Sequence, residues 1–337
     1  MAYSGLASEE TVDGVRIYRA PCKRRKPEIS YTGEKLSFVW GALPLVRRLA
    51  RASTYDIVHC HFILPAGLIA RLLGRALGAP YIITCHGSDV PGYNPDYFAL
   101  EHRLMAPLWR YIVRGAAHLI APSQTLCGLI EATQTRGLPP VSTIPYGFAA
   151  HRFAVSCRDK RILLVSRLLP RKGFQYFLQA IANMRLDWDV NIVGDGPYRP
   201  ELERVAAESL TPVRFWGWLA NDAPEMRELY ETSSIFVFPS ISENFPVALL
   251  EAMSAGLAII ATNTSGSPEV VGDTGVLVPP ADSGAIRAAL VELTQTPDRI
   301  AALGDAARQR LEENFDWPII LEKMTHLYSE ATGGGDA

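Results

Sequence analysis

The chain has 337 residues, 48% of them hydrophobic and 20% charged, with a formal net charge of -2. That length is enough for two domains with separate cores, and the near-neutral charge excludes a strongly basic protein whose main partner is nucleic acid. The 5 cysteines are scattered without a C-x-x-C pair, which excludes a zinc ribbon or redox pair and favours a reducing cytoplasm.

The start of the chain predicts neither a signal peptide nor a membrane anchor. The segment M-A-Y-S-G-L-A-S-E-E carries acids where a signal peptide needs positive charge before an apolar core. No apolar run reaches the roughly 18 residues that a membrane span requires. We therefore expect a cytoplasmic protein that is neither secreted nor integral to a membrane.

Short β-branched runs alternate with longer helical stretches from Tyr55 onward. After an opening strand in T-V-D-G-V-R-I-Y, strands are predicted at Y-D-I-V-H-C-H, P-Y-I-I-T-C-H and A-H-L-I-A-P-S. Helices are predicted between them, one ending at Gly78, one over 104–114 and one over S-Q-T-L-C-G-L-I-E-A-T. This alternation indicates a parallel sheet covered on both faces, as in a Rossmann-like domain over residues 1–153.

The same alternation restarts after I-P-Y-G-F-A-A-H-R-F, which is the predicted linker. Strands are predicted at R-I-L-L-V-S, D-V-N-I-V-G, V-R-F-W-G, S-I-F-V-F-P-S, L-A-I-I-A-T and G-V-L-V-P. The predicted helices are 174–184, 200–207, 224–232, 246–255, 283–295 and the tail from Arg299. A second Rossmann-like domain, 154–315, should face the first across a cleft, with a last helix, 316–333, packing back on the first.

Two loops that follow strands of the second domain carry groups suited to a nucleotide diphosphate. S-R-L-L-P-R-K-G places Arg167 and Lys172 where a cationic loop can hold phosphate oxygens, although a solvated basic turn is an even alternative. In S-E-N-F-P-V-A-L-L-E-A, Pro246 suits the first helical position, which leaves the next amides free for an anion. The acids Glu243 and Glu251 could grip hydroxyls of one ligand, with helix capping as the alternative for the former.

Taken together, these motifs resemble glycosyltransferase family 4, whose members are retaining enzymes of the GT-B fold. The ordered motifs are S-R-L-L-P-R-K-G, G-D-G-P, F-W-G-W, the acid pair E-x7-E, S-G-S-P-E and G-V-L-V-P-P. The resemblance covers Tyr55 to the C-terminus. It implies a nucleotide-sugar donor, such as a UDP-sugar or GDP-sugar, as substrate, with no cofactor and no metal ion.

The resemblance also implies roles for individual residues. Arg167 and Lys172 would bind the donor diphosphate, Glu243 would contact the sugar, and His86 in T-C-H-G-S-D would lie near the reacting carbon. Glu251 would hold the ribose hydroxyls, Gly194 and Gly196 would shape the turn beside the nucleotide, and Trp218 would lie against the base. The loop and helix start would contribute Asn244, Phe245, Val247 and Ala248. His59 and His61 are interpreted as structural or acceptor-side.

Rival enzyme classes fit the sequence less well. D-W-D (187–189) matches a metal-binding D-x-D motif, but it precedes a strand, which favours a surface turn. V-G-D-G-P lacks the third glycine of G-x-G-x-x-G, which argues against a dehydrogenase. A nucleotide-sugar epimerase or a phosphorylase remains an alternative with two Rossmann domains, although neither usually combines the two loops.

A non-catalytic reading is the serious alternative. Family members begin with a strand, a glycine-rich loop and a helix, whereas this sequence opens with what resembles a later strand. In addition, Y-G-F-A-A stands where the family has asparagine, glycine and aspartate. The alternative is therefore a catalytically impaired, N-terminally truncated GT-B protein that only binds nucleotide sugar or a partner.

The first domain also contains basic and amphipathic segments. C-K-R-R-K-P (22–27) precedes an amphipathic stretch over 34–51 that ends in Arg47, Arg48 and Arg51. Such segments can dock on anionic lipid, which would suit a lipid-linked acceptor and a peripheral position at the inner face of the membrane. A solvated helix face is an equal alternative, and a glycan or a small-molecule acceptor fits the sequence as well.

Overall fold

The computed structural model describes residues 6–23, 25, 32–154 and 158–333, which form two compact units. The first unit comprises the described residues up to Pro122, Leu126–Ile144 and the described residues from Met324 onward. The second unit comprises Ser123–Thr125 and Pro145–Lys323. The chain thus enters the second unit at the start of the predicted linker, and the last helix begins in one unit and ends in the other.

A hairpin opens the first unit where the sequence analysis predicted a single strand. Strand β1 (Glu9–Val12) pairs antiparallel with β2 (Val15–Tyr18). The two residues between them, Asp13 and Gly14, both have positive φ, 49° and 82°. Asp-Gly is a preferred pair for the tight two-residue turn whose twist matches that of the strands. The prediction of one strand was wrong because that turn signal was not used.

The remainder of the first unit is a parallel sheet with helices, as predicted, but the sheet has four strands where three were predicted. The strand at Val141–Thr143 was missed. The sheet order is β3-β4-β5-β6. Its strands are β3 (Val58–His61), β4 (Tyr81–Thr84), β5 (His118–Ala121) and β6 (Val141–Thr143), and its helices are α1 (Thr32–Ala52), α2 (Ala66–Leu77), α3 (Pro95–Val113) and most of α4 (Gln124–Ala132).

Helix α3 differs from its predicted bounds. It begins at Pro95, nine residues before the predicted start, and continues through Pro107. Proline at the first helical position costs nothing because the missing amide hydrogen would have no partner there.

Helix α2 ends as predicted at Gly78, which takes the left-handed conformation with φ 67°. None of the helices in the described part of the chain is long and apolar enough to cross a lipid bilayer.

The second unit contains a parallel six-stranded sheet in the order β12-β11-β10-β7-β8-β9. Its strands are β7 (Arg161–Val165), β8 (Asp189–Val193), β9 (Val213–Gly217), β10 (Ile235–Phe238), β11 (Ala258–Thr262) and β12 (Val276–Val278). Its helices are α5 (Phe174–Ile181), α6 (Arg199–Ala206), α7 (Pro224–Thr232), α8 (Val247–Ser254), α9 (Ser267–Val271), α10 (Ser283–Thr294), α11 (Pro297–Asn314) and the larger part of α12 (Trp317–Ala331).

Both faces of this sheet are buried. Along β7, Ile162 and Leu164 belong to one apolar cluster while Leu163 belongs to the cluster on the opposite face. This alternation is what a strand between two helical layers requires, and it explains why the strand reads as a continuous apolar run. The sequence predicted each of these six strands, and it predicted α7 to the residue.

The strand order reverses between β7 and β10. From β7 the chain builds outward through β8 to β9, and from β10 it builds the other way through β11 to β12. In open parallel sheets ligands bind beyond the carboxyl ends of the strands at this reversal, here called the switch point. The loops that follow β7 and β10 are therefore where the fold itself places a binding site.

Candidate functional site

An ion pair joins the two loops at the switch point. Lys172 ends a short 3₁₀ turn, Pro170–Lys172, after β7, and Glu243 lies in the loop after β10. The ammonium of Lys172 donates to Oε1 of Glu243, and each side chain is only 12% exposed. The structure thus brings together two predicted site residues that are 71 positions apart.

Burial dominates the electrostatics of Lys172. It lowers the pKa of the ammonium, the charges of Arg171 and Arg167 lower it further, and Glu243 opposes the change. This loop carries three cations, Arg167, Arg171 and Lys172, and the ion pair supplies one carboxylate, so positive charge is in excess here. The loop therefore retains capacity for additional negative charge. Arg167 itself is exposed on the same loop.

Glu243 is held in place by a buried hydroxyl that the sequence analysis did not single out. Ser240 is fully buried, and its Oγ donates to Oε1 of Glu243 at 2.7 Å. Thr262, at the end of β11, donates its hydroxyl to the carbonyl of Ser240. The carboxylate is thereby fixed to two strand ends, so its position is set by the sheet and not by a flexible loop. The adjacent strand-end serine in F-P-S was the available signal.

Glycines let the strand-end loops pack backbone against backbone. A Cβ on Gly194 would lie 1.9 Å from the carbonyl oxygen of Ser166, and one on Gly196 would lie 2.3 Å from that of Leu168. Gly173 approaches the carbonyl of Pro239 in the same way, at 1.8 Å. The loops after β7, β8 and β10 consequently form one closely packed surface that admits no side chain at these points.

Helix α8 begins next to this surface, one residue later than predicted. Pro246 is the residue before the helix, with an extended backbone, so the prediction that it occupies the first helical position was wrong. The first backbone bond runs from Leu249 N to Pro246 O at 3.1 Å, which leaves the amides of Val247 and Ala248 without a helical acceptor. Free amides at a helix start are donors suited to an anion.

Two residues of the loop before α8 differ in what they can offer a ligand: Phe245 belongs to the core, whereas Asn244 has an amide that is unpaired within the described part of the chain. Phe245 is buried and packs against Tyr146 and Phe315, so only its backbone can serve a ligand. Asn244 is 9% exposed, and its Nδ2 has no hydrogen-bond acceptor among the described residues. A buried amide donor without a partner is costly unless a ligand or water supplies the acceptor.

Glu251 lies on α8 with its carboxylate bound to α7. Its Oε2 accepts a hydrogen bond from the hydroxyl of Tyr230 at 2.8 Å. Burial raises the pKa of Glu251, while the Tyr230 hydroxyl and the charge of Arg152 oppose that rise. The structure therefore places Glu251 with Tyr230, a residue that the sequence analysis had not identified. Whether it shares a ligand with Lys172 stays a prediction.

Two tryptophans lie at the end of β9, Trp216 within the strand and Trp218 in the loop that follows it. The side chain of Trp216 already has protein partners. Its indole donates to Oδ1 of Asn191 at 2.9 Å, and the guanidinium of Arg214 lies 3.6 Å from its ring centroid. Trp218 is 75% exposed. The predicted stacking of a base on Trp218 remains a prediction that its exposure permits.

In the first unit, Asp89 fixes the loop that carries His86. Its two carboxylate oxygens accept from the backbone amides of Ile63, at 2.8 Å, and His86, at 2.9 Å. Burial raises the pKa of Asp89, and these amide donors oppose the rise. Asp89 ties the segment after β3 to the segment after β4. It belongs to the predicted motif T-C-H-G-S-D but was not assigned a role.

Three histidine rings lie side by side at the ends of these two strands. His59 is fully engaged, with Nδ1 2.7 Å from the Tyr328 hydroxyl and Nε2 2.7 Å from Thr84 Oγ1, which fits the structural interpretation. His61 stacks on His59 and places its Nδ1 3.1 Å from Nε2 of His86. Burial lowers the pKa of all three, to about 4 for His59 and His86, and neighbouring histidine charges add to the effect for these two.

Stability should consequently fall in mild acid. The pKa of His59 and of His86 is 6.5 in the unfolded chain and about 4 in the folded chain. Between these two pH values the unfolded chain binds more protons than the folded chain. The contribution of each neutral histidine to the free energy of unfolding is therefore complete above pH 6.5 and is lost as the pH falls toward 4. After allowance for solvent screening, we expect a loss of about 1 kcal/mol for each of the two residues between pH 7.5 and pH 5.

Urea denaturation at the two pH values measures this loss. A His59→Asn chain should show a smaller pH dependence than the parent. His326→Asn, which changes an exposed side chain on α12, is the matched control and should keep the parent's dependence. An identical pH dependence in all three chains would contradict the assignment.

In the described part of the chain, no cluster of three or more His, Cys, Asp or Glu side chains is arranged to hold a metal ion. Each of the two units contains a parallel sheet with helices, which defines a Rossmann-like α/β protein, and the second unit has an ion pair at its switch point. Family comparison gives the identity within that class. Residues 2–147 match the model of the glycosyl transferase 4-like domain, and residues 159–296 match that of glycosyl transferases group 1. The chain belongs to glycosyltransferase family 4, as its motifs predicted.

Similar proteins agree with this assignment. A GDP-mannose-dependent monoacylated alpha-(1-6)-phosphatidylinositol monomannoside mannosyltransferase of Corynebacterium glutamicum is 32% identical over 78% of this chain and 73% of its own length. A longer plant relative is 28% identical, and the chain spans 57% of its length.

Solved structures confirm the predicted GT-B fold class. Sucrose-phosphate synthase from Thermosynechococcus elongatus superposes with a TM-score of 0.81 at 22% identity, over 98% of this chain and 87% of the other. Anabaena HepE in complex with UDP-glucose superposes with a TM-score of 0.71 at 20% identity, over 86% and 84%.

Proposed function

We propose that the chain transfers a sugar from a nucleoside diphosphate sugar to an acceptor, without a metal ion and with retention of anomeric configuration. The observation that carries the proposal is the buried Lys172–Glu243 ion pair at the switch point, with Arg167 and Arg171 on the same loop and the free amides of α8 farther along the chain. This is the arrangement that a diphosphate leaving group requires, because negative charge grows on it as the glycosidic bond breaks.

Donor binding would change the geometry of the Lys172–Glu243 ion pair without breaking it. The diphosphate would share the Lys172 ammonium with Glu243 and accept from the amides of Val247 and Ala248. Arg167, exposed on the same loop, would fork onto the outer phosphate oxygens. Because Glu243 can only accept hydrogen bonds when ionised, hydroxyl groups of the donor sugar are its natural partners. Ser240 would keep the carboxylate in place during the exchange.

Glu251 would recognise the ribose. Tyr230 occupies Oε2, so Oε1 is the oxygen that a ribose hydroxyl would reach. A neutral carboxyl could donate as well as accept, and the raised pKa makes this form more accessible than for an exposed glutamate. His86 would contact the sugar near the reacting carbon, as the family resemblance implies.

The acceptor is proposed as a glycan or a lipid-linked saccharide, in keeping with polysaccharide or glycolipid biosynthesis. The corynebacterial relative, by its name, acts on a monoacylated phosphatidylinositol mannoside. That similarity supports the lipid-linked class and does not choose the sugar or the base.

Thermal stabilisation by a panel of nucleotide sugars tests donor binding. UDP-glucose, UDP-N-acetylglucosamine, GDP-mannose and ADP-glucose would be compared at equal concentration, and a ligand at 100 times its Kd should add about 2.7 kcal/mol. Glu251→Ala should reduce the response to the preferred donor, whereas Glu208→Ala, an exposed acid after α6, should not. A panel without any response would contradict the proposed donor site.

Turnover separates a transferase from the impaired alternative. The linker Y-G-F-A-A departs from the family pattern, which is the observation that favours a chain that only binds. Release of nucleoside diphosphate in the presence of EDTA, with the configuration of the product read by NMR, is expected for a metal-independent retaining enzyme. Binding without release of nucleotide, with or without acceptor, would establish the impaired protein.

A further inference from the structure

Helix α1 exposes a stripe that changes from apolar to basic along its length. Leu36, Trp40 and Pro44 are exposed at spacings of four residues, and the same side of the helix continues with Arg47 and Arg51, which are also exposed. A surface helix of a globular protein normally presents polar side chains to water along its exposed stripe. An exposed Trp and Leu followed by arginines is typical of a helix that lies at a membrane interface.

Helix α3 also exposes two large apolar side chains, Leu100 and Leu104. Leu100 and Leu104 are 71% and 70% exposed, comparable with 73% for Trp40 and 58% for Leu36. They are also four residues apart, so they lie on one face of α3. Large apolar side chains exposed on two helices of the same unit exceed what scattered surface residues require.

An apolar cavity of about 280 Å³ connects these helices. Its walls include Leu36 of α1, Leu68 of α2 and Leu100, Leu104 and Leu108 of α3, with Leu64 before α2. The ion pair Lys35–Glu101 adjoins it. The cavity opens to the surface and its lining is mostly apolar, so an apolar chain that enters it removes apolar surface from water. A wider hollow shares Leu36 with this cavity and is also lined by Trp40, Lys23 and Arg19.

We propose that this face of α1 and α3 binds an anionic phospholipid bilayer, with Leu36, Trp40, Leu100 and Leu104 in the acyl region and part of one acyl chain in the cavity. Arg47 and Arg51 then lie at the level of the phosphate groups. Arg48 takes a smaller part, because it is already 3.5 Å from Glu9 and faces the ring of Tyr18. Of the predicted basic segment 22–27, Arg24, Lys26 and Pro27 lie outside the described residues, and no part of the proposal depends on them.

Lipid fits this face better than a protein partner because the apolar residues and the arginines form one continuous stripe. In a chain with a net charge of -2, that stripe offers local positive charge to an anionic surface. The proposal goes beyond the proposed function and uses no residue of the donor site. A failure of lipid binding would therefore leave the donor site untouched, and the reverse also holds.

Flotation of the full chain with vesicles tests the proposal. Vesicles of phosphatidylcholine and phosphatidylglycerol at 3:1 are compared with phosphatidylcholine alone, at low and high salt. Arg47→Ala with Arg51→Ala should weaken binding to the anionic vesicles about 25-fold, since each arginine near the surface is worth roughly fivefold. Arg47→Lys with Arg51→Lys should keep most of the binding, which a fold defect would not do.

Substitution of leucines that line the cavity tests whether the apolar side chains of this face enter the bilayer. Leu36→Glu with Leu104→Glu should abolish vesicle binding, while Leu210→Glu with Leu321→Glu, at exposed leucines of the second unit, should leave it unchanged. Brominated lipids should quench tryptophan fluorescence in the parent and much less in Trp40→Phe. Equal binding to both vesicle types, no binding to either, or full binding by the arginine-to-alanine or Leu36→Glu, Leu104→Glu chains would overturn the proposal.

Discussion

A Lys172→Ala chain is expected to lose about 100- to 1000-fold in kcat/KM for its nucleotide sugar, the loss typical of removing one group that stabilises charge in a transition state. The ammonium lies at the switch point, and its charge is most valuable as the diphosphate departs. Initial rates of nucleotide release measure the effect. Lys160→Ala, which breaks an exposed pair with Asp187 elsewhere in the second unit, is the control and should keep parental turnover.

The same substitution also affects stability, and the two effects can be separated. Without Lys172, Glu243 keeps Ser240 as a partner but loses its counter-charge, which should cost about 1–3 kcal/mol of unfolding free energy. Lys172→Met combined with Glu243→Gln removes both charges and should recover stability without recovering turnover. Turnover within threefold of the parent in either chain would remove Lys172 from the mechanism.

Gly194→Ala should lower the unfolding free energy by about 3 kcal/mol or more, because it combines backbone strain with a collision that nothing flexible can relieve. Gly194 has φ 131°, and an added Cβ would lie 1.9 Å from the carbonyl oxygen of Ser166. Displacing Ser166 also displaces Arg167, so donor binding should weaken as well. Chemical denaturation and the nucleotide-sugar thermal shift measure the two effects.

Gly128→Ala provides the matched control for this substitution. Gly128 lies inside α4, and an added Cβ there would meet nothing within 4 Å. Alanine should stabilise the helix by about 0.5–1 kcal/mol, so the two substitutions should move the unfolding midpoint in opposite directions. Equal midpoints for the two chains would show that the loops after β7 and β8 are not in close contact.

Most strands and helices could be predicted because their signals are local, whereas the three-residue strand Val141–Thr143 is too short to show a pattern. Apolar runs bounded by Gly and Pro predicted all six strands of the second unit, and Pro224 marked the start of α7. The misses have local causes too. The opening hairpin was read as one strand because its Asp13-Gly14 turn was overlooked, and the early start of α3 lay in N-P-D-Y-F-A-L, where the apolar spacing is irregular.

The sequence predicted which residues belong to the candidate site but not which side chains they contact. The motifs identified Lys172, Glu243 and Glu251, whereas the contacts of these residues depend on tertiary structure. Glu243 binds Lys172 across 71 positions, and Glu251 binds Tyr230 from another helix. Ser240 and Asp89 escaped notice because a buried serine or aspartate acts by fixing a neighbour, and no local spacing reveals which neighbour that is.

The division of the chain into its two units has a consequence for biosynthesis. The first unit includes residues from Met324 onward, and His59 of β3 receives its hydrogen bond partner Tyr328 from that segment, 269 positions later. An emerging polypeptide usually completes its N-terminal domain first. Here residues of the first unit are synthesised after the whole of the second, so the second unit can be complete before the first has received all of its contacts.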